Sequence, residues 1–364
     1  MGVRSTGVGE LSREPDRVPV VDVGAQPVFA LIDSGTDESP SGRLNWANFP
    51  RRRAIFALVG ALILFVVVIR QVRGVDLGQI WARIRAADGP LLALALVVFY
   101  CSFLCRTLRW RALLENVGFG RGAGRRLPSL FGLLEILYLS WFANCVTVAR
   151  LGDAYRGHML KKAAGVSFGV TLGTILAERL IDLTILVGLM AGTALFVFHG
   201  TLPPEAVRAL LGGLGIAAIG GGGLLALRPL RPVLARALPT RLHAHYASLE
   251  GGLLGSFRRL PLLAGYSVLG WAIEGTTLYL TAAAVGAPVS PAGALMVALI
   301  ASLLTTIPLA PSGLGVTEAG MVVVLGWLGI EPSTAGAIAL LNRCINYWSI
   351  VAFGAILYAV SRKK

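Results

Sequence analysis

The sequence predicts an all-α, polytopic membrane helix bundle of six to eight spans with two broken or re-entrant elements. Apolar residues make up 55% of the 364-residue chain, and its mean hydropathy is +0.72. Charged residues contribute only 14%. Several apolar runs reach the ~18–20 residues that a helix needs to cross a bilayer. A soluble domain of this size needs a larger polar surface, so the composition excludes that class.

The formal net charge of +14 fits a membrane protein without a nucleic-acid partner. An excess of Lys and Arg is typical of cytoplasmic loops that lie beside anionic lipid. The four cysteines all fall in apolar segments, where small packing residues are more common than disulfides or metal ligands. We therefore expect membrane lipids as partners, with no metal and no cofactor.

The N-terminal part of the chain divides into a tail and a first span. Residues 1–50 are rich in Pro, Gly, Ser and acids, which predicts a disordered cytoplasmic tail before a transmembrane domain over residues 51–364. Three arginines at 51–53 precede an apolar run at 54–69, which places the N-terminus in the cytoplasm. Residues 76–88 show helical spacing typical of a short helix at the membrane interface.

A second span is predicted at residues 91–108, and the basic stretch that follows it is expected to be a cytoplasmic loop. That stretch contains Arg106, Arg109, Arg111, Arg121, Arg125 and Arg126. The next apolar segment, 127–149, is predicted to enter the membrane and return on the cytoplasmic side. A full crossing would place the basic residues that follow, and every later basic loop, outside.

The remaining segments complete the predicted topology. A tilted span with an extra half helix is expected at 166–198, and a returning span at 206–227. A basic cytoplasmic linker at 228–259 precedes a span at 261–285. The chain then forms a second broken element at 292–328 and a last span at 334–360. The result is six full spans and two hairpins that enter from opposite sides, which favours inverted repeats. Eight full spans are the alternative.

Glycines recur at every fourth position at Gly165, Gly169 and Gly173. Small residues at this spacing let two transmembrane helices approach closely. We expect a helix-packing face here rather than a chemical site.

The run AERLIDL places three charged residues inside an apolar segment. Glu178 and Asp182 are four residues apart and share one helix face, with Arg179 beside them. An ionised side chain at the bilayer centre costs roughly 2.5–3.5 kcal/mol on insertion scales, so such groups face partners or water. The cluster is either a polar wall of a lipid or ion cavity or an internally neutralised clasp within the bundle.

A second candidate site follows the first broken element. It contains Asn144, Arg150, Gly152, Asp153 and Arg156. Arginine grips phosphate oxygens through charge-assisted, often bidentate hydrogen bonds, and glycine permits a tight turn. The simpler alternative is cytoplasmic loop charge, but Asn144 and Asp153 add polar groups that topology does not require.

The third candidate site lies in TIPLAPSGLGVTEAG. Pro311, with Pro308, removes amide donors and breaks a helix, while Gly313 and Gly315 permit positive φ. The exposed amides could form an anion-binding nest, followed by a helix that starts near Glu318. A merely structural kink is the alternative, although it would need only one proline.

Arg343 adds a cation to the last predicted span. The amides of Asn342 and Asn346 lie beside it in the sequence. We expect this group to complete a polar cavity with the other sites.

With these motifs the chain resembles the flippase-like family that includes the transmembrane domain of bacterial lysylphosphatidylglycerol synthases. The matching stretches are NCVTVARLGDAYR, AERLIDL, PLAPSGLGVTEAG and NRCINYW, in that order, and they cover most of residues 54–358. The family commonly has a proline shortly before the Arg–Gly–acid motif, whereas Val148 and Ala149 precede Arg150 here.

The resemblance implies an integral membrane protein that translocates lipid between leaflets and self-associates. With the basic segments at both ends of the transmembrane region, we expect a bacterial-type cell membrane and cytoplasmic termini. We expect no synthase activity to be inherited, because the aminoacyl-transfer domain of those synthases follows the membrane part and has no counterpart in this sequence. Other members of the family accompany lipid-linked sugar pathways.

The leading hypothesis is therefore translocation of a phospholipid or lipid-linked headgroup. Its phosphate would be held by Arg150, Arg156, Arg179 and Arg343, while Glu178, Asp182 and Glu318 would tune the cavity or engage an amine. Three alternatives are a membrane-embedded lipid-modifying enzyme, an ion or small-solute transporter, and an accessory subunit of a lipid-glycan pathway. The sequence offers no convincing nucleophile–base pair for the enzyme.

Overall fold

A computed structural model describes residues 76–120, 126–147, 151–199, 204–237, 239–305 and 311–361. Within these ranges all regular secondary structure is helical, which confirms the all-α prediction. The predicted tail at 1–50, the first span at 54–69 and Arg150 lie outside the described residues.

The first half of the described chain contains helices α1 (Leu77–Arg85), α2 (Gly89–Asn116), α3 (Leu130–Val146), α4 (Leu151–Ala164), α5 (Phe168–Val197) and α6 (Pro204–Ala237). The second half contains α7 (Thr240–Gly255), α8 (Leu260–Ala284), α9 (Pro291–Leu304), α10 (Val316–Trp327), α11 (Pro332–Arg343) and α12 (Ser349–Val360). A 3₁₀ turn spans Pro311–Gly313, and a π-helical segment, Cys344–Trp348, joins α11 to α12.

Three of the described helical segments are long and apolar enough to cross a membrane. They are α2, α5 and the continuous segment Pro332–Val360, whose most apolar stretches have mean hydropathies of 2.1, 2.2 and 1.3. Helices α3, α9 and α10 are apolar but shorter. The chain is thus a multi-pass membrane helix bundle, and the number of spans stays a prediction.

Several helices start where the sequence supplies a capping side chain. The carboxylate of Asp88 accepts from Leu91 N at 2.9 Å at the start of α2. Ser129 and Ser290 accept from the backbone three residues on, both at 3.1 Å, at the starts of α3 and α9. These caps satisfy backbone donors that have no partner inside the helix.

The second predicted broken element is present as an interrupted helix, whereas the first has other bounds than predicted. Within 127–149 the described residues form one unbroken helix, α3, and the helix that packs back against it is α4, beyond the predicted segment. The second consists of α9 and α10, separated by a turn in which Ser312, Gly313 and Gly315 have φ of 48°, 66° and 85°. Left-handed backbone is strained for residues with a Cβ, so the two glycines let the chain turn here.

The structure differs from three sequence-based expectations about these helices. The linker predicted at 228–259 is largely helical, because α6 continues to Ala237 and α7 follows it. The extra half helix predicted within 166–198 is absent, since α5 is one 30-residue helix. Helix α2 runs on to Asn116, so Arg106 and Arg109 lie inside it and are buried rather than in a loop.

The helix-packing face predicted from the glycines is confirmed at Gly169 and Gly173. A Cβ at Gly173 would lie 2.3 Å from Leu249 O on α7, and one at Gly252 of α7 would lie 2.3 Å from Val170 O. The two backbones approach this closely only because neither glycine carries a side chain. Gly165 precedes α5 and has no heavy atom within 4 Å of an added Cβ.

The chain contains two related halves, which the sequence alone shows only faintly. Repeat 1 comprises α2–α5 and repeat 2 comprises α8–α12. The first helix of each begins with Pro-Leu-Leu-Ala, at Pro90 and at Pro261. On the last helical segment of each repeat, α5 and the continuous Pro332–Val360, the run 178–182 (ERLID) corresponds to 342–346 (NRCIN).

The two repeats pack in opposite directions. Asn116, at the end of α2, donates to Ser256 O at 2.9 Å, just before α8. At the other end, Asp88 N donates to Ala284 O at 2.8 Å. Helices α2 and α8 are therefore antiparallel neighbours, as an approximate two-fold axis across the bundle requires.

Other contacts obey the same symmetry. Helix α1, before repeat 1, packs on α11 of repeat 2, where Ile80 lies against Gly336. Helix α7, before repeat 2, packs on α5 of repeat 1. Likewise α9 packs on α5, and α12 packs on α3. This arrangement confirms the inverted-repeat prediction and brings both interrupted helices to the centre of the bundle.

Candidate functional site

A buried ion network occupies the centre of repeat 1. Arg109 of α2 is only 3% exposed and donates from Nη2 to Glu178 Oε1 and to Asp182 Oδ2, both at 2.8 Å. Its Nη1 contacts Asp182 Oδ1 and donates to Ser267 Oγ of α8 at 2.7 Å. The two carboxylates that the sequence places on one face of α5 therefore share a single guanidinium.

Arg156 of α4 binds the same carboxylate from the other side. Its Nη1 donates to Glu178 Oε2 at 2.9 Å, and its guanidinium carbon lies 3.8 Å from the ring centre of Trp110. The side chain is 1% exposed, yet Nε and Nη2 have no hydrogen-bond partner among the described residues. These two groups form one edge of the guanidinium, the edge that binds an oxoanion with two parallel bonds.

A more exposed part of the network ties α4 to α3 and α5. Arg179 donates to Asp153 at 3.2 Å, and Asn144 Nδ2 donates to the same carboxylate at 3.2 Å. Asn144 Oδ1 accepts from Gly152 N at 2.8 Å. A Cβ on Gly152 would lie 2.1 Å from Ser140 O, so only glycine fits at this contact.

The interruption in repeat 2 is held by an ion pair of its own. Arg343 Nε donates to Glu318 Oε1 at 2.6 Å, and Nη2 donates to Ser312 O at 2.9 Å. The second carboxylate oxygen of Glu318 accepts from Gly315 N at 2.7 Å. The sequence predicted that exposed amides at this turn would bind an external anion. The amide of Gly315 does not, because it donates to the carboxylate of Glu318.

The two interruptions meet at the middle of the bundle. Ser312 Oγ donates to Asn144 O at 3.4 Å. Tyr347, in the π-helical segment, donates to Cys145 O at 3.0 Å. Backbone carbonyls freed at the end of α3 are thus satisfied by side chains of the opposite repeat, as a low-dielectric setting requires.

A cleft opens beside the interruption in repeat 2. Its cavity volume is ≈ 50 Å³, and it is open on one side. Its wall includes the polar residues Glu274, Ser302, Thr317, Asn342, Arg343 and Asn346 and the apolar residues Phe99, Leu278 and Met321. The wall thus combines polar and apolar surface.

The structure sorts the sequence-predicted site residues into two clusters. Asn144, Gly152, Asp153, Arg156, Glu178, Arg179 and Asp182 lie together in repeat 1. Gly313, Gly315, Glu318 and Arg343 lie together in repeat 2, at the turn that Pro311 begins. Their assignment to substrate binding stays a prediction, and Arg150 lies outside the described residues.

Sequence reasoning missed two buried arginines that pair with acids in the bundle. Arg109 was assigned to a loop although it neutralises Glu178 and Asp182. Arg106 contacts the carboxylate of Glu274 and lies 4.6 Å from the ring centre of Trp141. The available signal was the three-residue spacing of Arg106 and Arg109, which continues the apolar helix and places both on one face.

The amino-acid sequence places this fold, with its interrupted helices and buried charges, in a known family. The model for the lysylphosphatidylglycerol synthase TM region matches residues 54–354, and the chain belongs to this family. The match covers the membrane region that the resemblance of the four motifs predicted.

Curated relatives include two UPF0104 membrane proteins from archaea. The protein from Methanocaldococcus jannaschii is 34% identical over 224 residues, which are 60% of this chain and 94% of the relative. One from Methanothermobacter thermautotrophicus is 27% identical over 328 residues, 84% of this chain and 92% of the relative.

A third relative is named for an enzyme. Glycosyltransferase AglD of Haloferax volcanii is 24% identical over 336 residues. The alignment covers 81% of this chain but only 52% of AglD. The shared region is thus about half of that protein.

Proposed function

We propose that the protein translocates a phospholipid or a lipid-linked headgroup between the leaflets of a cell membrane. The observation that carries this proposal is the amphiphilic cleft at the interruption of repeat 2, where Arg343 and Glu274 share the wall with Phe99 and Leu278. A lipid has the same division between a polar head and an apolar chain. In lipid, an interrupted helix is tolerated only where it lines protein or a wet cavity.

The inverted repeats supply a way to expose the site on either side in turn. In this structure the centre of repeat 1 is closed around Arg109, whereas repeat 2 carries the open cleft. Two halves of similar sequence and opposite direction can exchange these conformations, which moves the opening to the other face. In repeat 1, the free edge of Arg156 supports binding of a phosphate or a sugar hydroxyl along this path.

The test is a leaflet-resolved lipid assay with the full chain in proteoliposomes. Fluorescent phosphatidylglycerol and a fluorescent glycosyl lipid are placed in one leaflet, and their appearance in the other is followed by quenching. We expect movement faster than in protein-free vesicles, with the lipid chemically unchanged. Movement of neither lipid would contradict the proposal.

A role in a lipid-glycan pathway is the second candidate. It is supported by the relative named glycosyltransferase AglD, which shares the membrane region of this chain. In this reading the protein accompanies or modifies a lipid-linked sugar instead of moving lipid. Mass spectrometry of the vesicle lipids after the assay separates the two, because only an enzyme leaves a modified lipid.

Orientation and assembly complete the proposal. The positive-inside distribution of Arg and Lys supports cytoplasmic N- and C-termini. The family resemblance supports self-association in the membrane.

A further inference from the structure

We propose that the cleft of repeat 2 takes an uncharged, hydroxyl-rich headgroup, the chemistry of a glycosyl lipid, rather than a cationic or free anionic one. This inference rests on the proposed translocation of lipid and names the class of its substrate. It follows from the difference between two positions that the repeats share.

The first step is a comparison of equivalent residues. Glu178 and Asp182 of repeat 1 correspond to Asn342 and Asn346 of repeat 2. In repeat 1 the two acids enclose the guanidinium of Arg109. In repeat 2 the two amides bond to each other and line the cleft. The two acids that hold a resident cation in one half are thus replaced by neutral amides in the other.

The second step concerns charge. The described charges on the cleft wall are already paired: Arg343 with Glu318, and Glu274 with Arg106. An added charged headgroup would have to break one of these pairs or remain uncompensated in a low-dielectric site. A neutral headgroup meets neither penalty.

The third step concerns hydrogen bonding. Thr317 is 3% exposed and lines the cleft, and its hydroxyl has no hydrogen-bond partner among the described residues. The side-chain oxygen of Asn346 also lacks a partner within that part of the chain. A sugar hydroxyl can accept from the Thr317 hydroxyl and can donate to the Asn346 oxygen. An ammonium group only donates, so it leaves the Thr317 proton without an acceptor. A phosphate only accepts, so it leaves the Asn346 oxygen without a donor.

The experiment measures binding of three diacylglycerol lipids with identical chains to the full protein in detergent, by tryptophan fluorescence. The lipids carry a glucosyl, a phosphoglycerol and a lysyl-phosphoglycerol headgroup. We expect the glucosyl lipid to bind most tightly. Thr317→Val should weaken its binding about fivefold, the equivalent of one neutral hydrogen bond. Thr276→Val, at an exposed hydroxyl of α8, is the matched control and should change nothing.

A second variant tests the comparison between repeats directly. Asn346→Asp restores the acid found at Asp182, and it should shift the preference toward the lysyl lipid.

Free glucose should bind far more weakly than the glucosyl lipid, and equal binding would assign the cleft to a free sugar. Tighter binding of either charged lipid by the unaltered protein would overturn the inference. If phosphatidylglycerol crosses the vesicles without glucosyl binding, translocation stands and this substrate class fails. If the glucosyl lipid binds but no lipid crosses the vesicles, the substrate class stands and translocation fails.

Discussion

Arg343 donates to Glu318, just after the interruption of repeat 2, at a distance of 2.6 Å. The partners are 25 residues apart, with the acid at the third position of the helix that restarts after the break. Arg179 and Asp153 repeat this relationship in the other half, 26 residues apart, with Asp153 third in α4. Each half therefore fixes its interrupted helix to its last helix by one ion pair.

These two ion pairs should matter for transport. We expect Glu318→Gln and Arg179→Ala each to slow lipid movement at least about tenfold, because each removes one partner of a charge pair at a break. The measurement is the proteoliposome assay, with size-exclusion profiles to show intact folding. Arg111→Ala, whose pair with Glu115 lies at the surface, is the control. Normal rates in both variants would show that the site lies elsewhere.

Removing the shared cation of repeat 1 should destabilise the protein strongly. Arg109→Met leaves the buried Asp182 without its ion-pair partner and Glu178 with Arg156 alone, which costs about 3–5 kcal/mol. Thermal unfolding in detergent should show a large fall in Tm. Arg111→Met, at an exposed pair, should change stability by less than about 0.5 kcal/mol. Equal falls in Tm for the two variants would mean that the buried ion network adds little to stability.

The contact between α5 and α7 can be tested with glycine substitutions. Gly252→Ala places a Cβ against Val170 O, so we expect a loss of about 2 kcal/mol from overpacking. Gly188→Ala on α5 adds a Cβ with no heavy atom within 4 Å and should stabilise the helix slightly. Thermal unfolding of both variants gives the comparison, and a neutral Gly252→Ala would contradict the close approach.

The antiparallel packing of α2 and α8 predicts a labelling pattern. In a background without native cysteines, Arg259→Cys and Lys162→Cys should react with an impermeant maleimide only from the cytoplasmic side. Ala86→Cys, near the opposite end of α2, should react only from outside. Labelling of Lys162→Cys from outside would show that the first interrupted element crosses the membrane fully.

Glu331 predicts a pH effect at the start of α11. Burial raises the pKa of this carboxyl, but hydrogen bonds from Ser333 and Thr334 outweigh burial and hold the pKa at about 2, below the usual 4.5. Its stabilisation is therefore complete above about pH 4.5 and is lost as the pH falls toward 2. Between about pH 6 and about pH 3, Tm should fall further for the unaltered protein than for Glu331→Gln. Identical falls in Tm for the two proteins would show that Glu331 does not contribute to stability in this way.

The sequence by itself determined the membrane class, the helical content and the break at Gly313 and Gly315. Hydropathy is a property of each segment, and Pro and Gly act on the local backbone, so neither needs a partner to be recognised. The charged run at Glu178–Asp182 was found for the same reason, because a charge in an apolar helix is conspicuous wherever it lies.

Only the tertiary structure decided which charges pair and which groups line a cavity. Arg109 looks like loop charge in sequence, yet it lies between Glu178 and Asp182 from a helix about 70 positions later in the chain. The role of Asn342 and Asn346 was recognised only when they were compared with the acids at the equivalent positions of the opposite repeat. Ion pairs and cavities depend on distances between helices, and those distances are set by packing across the whole bundle rather than by any local pattern.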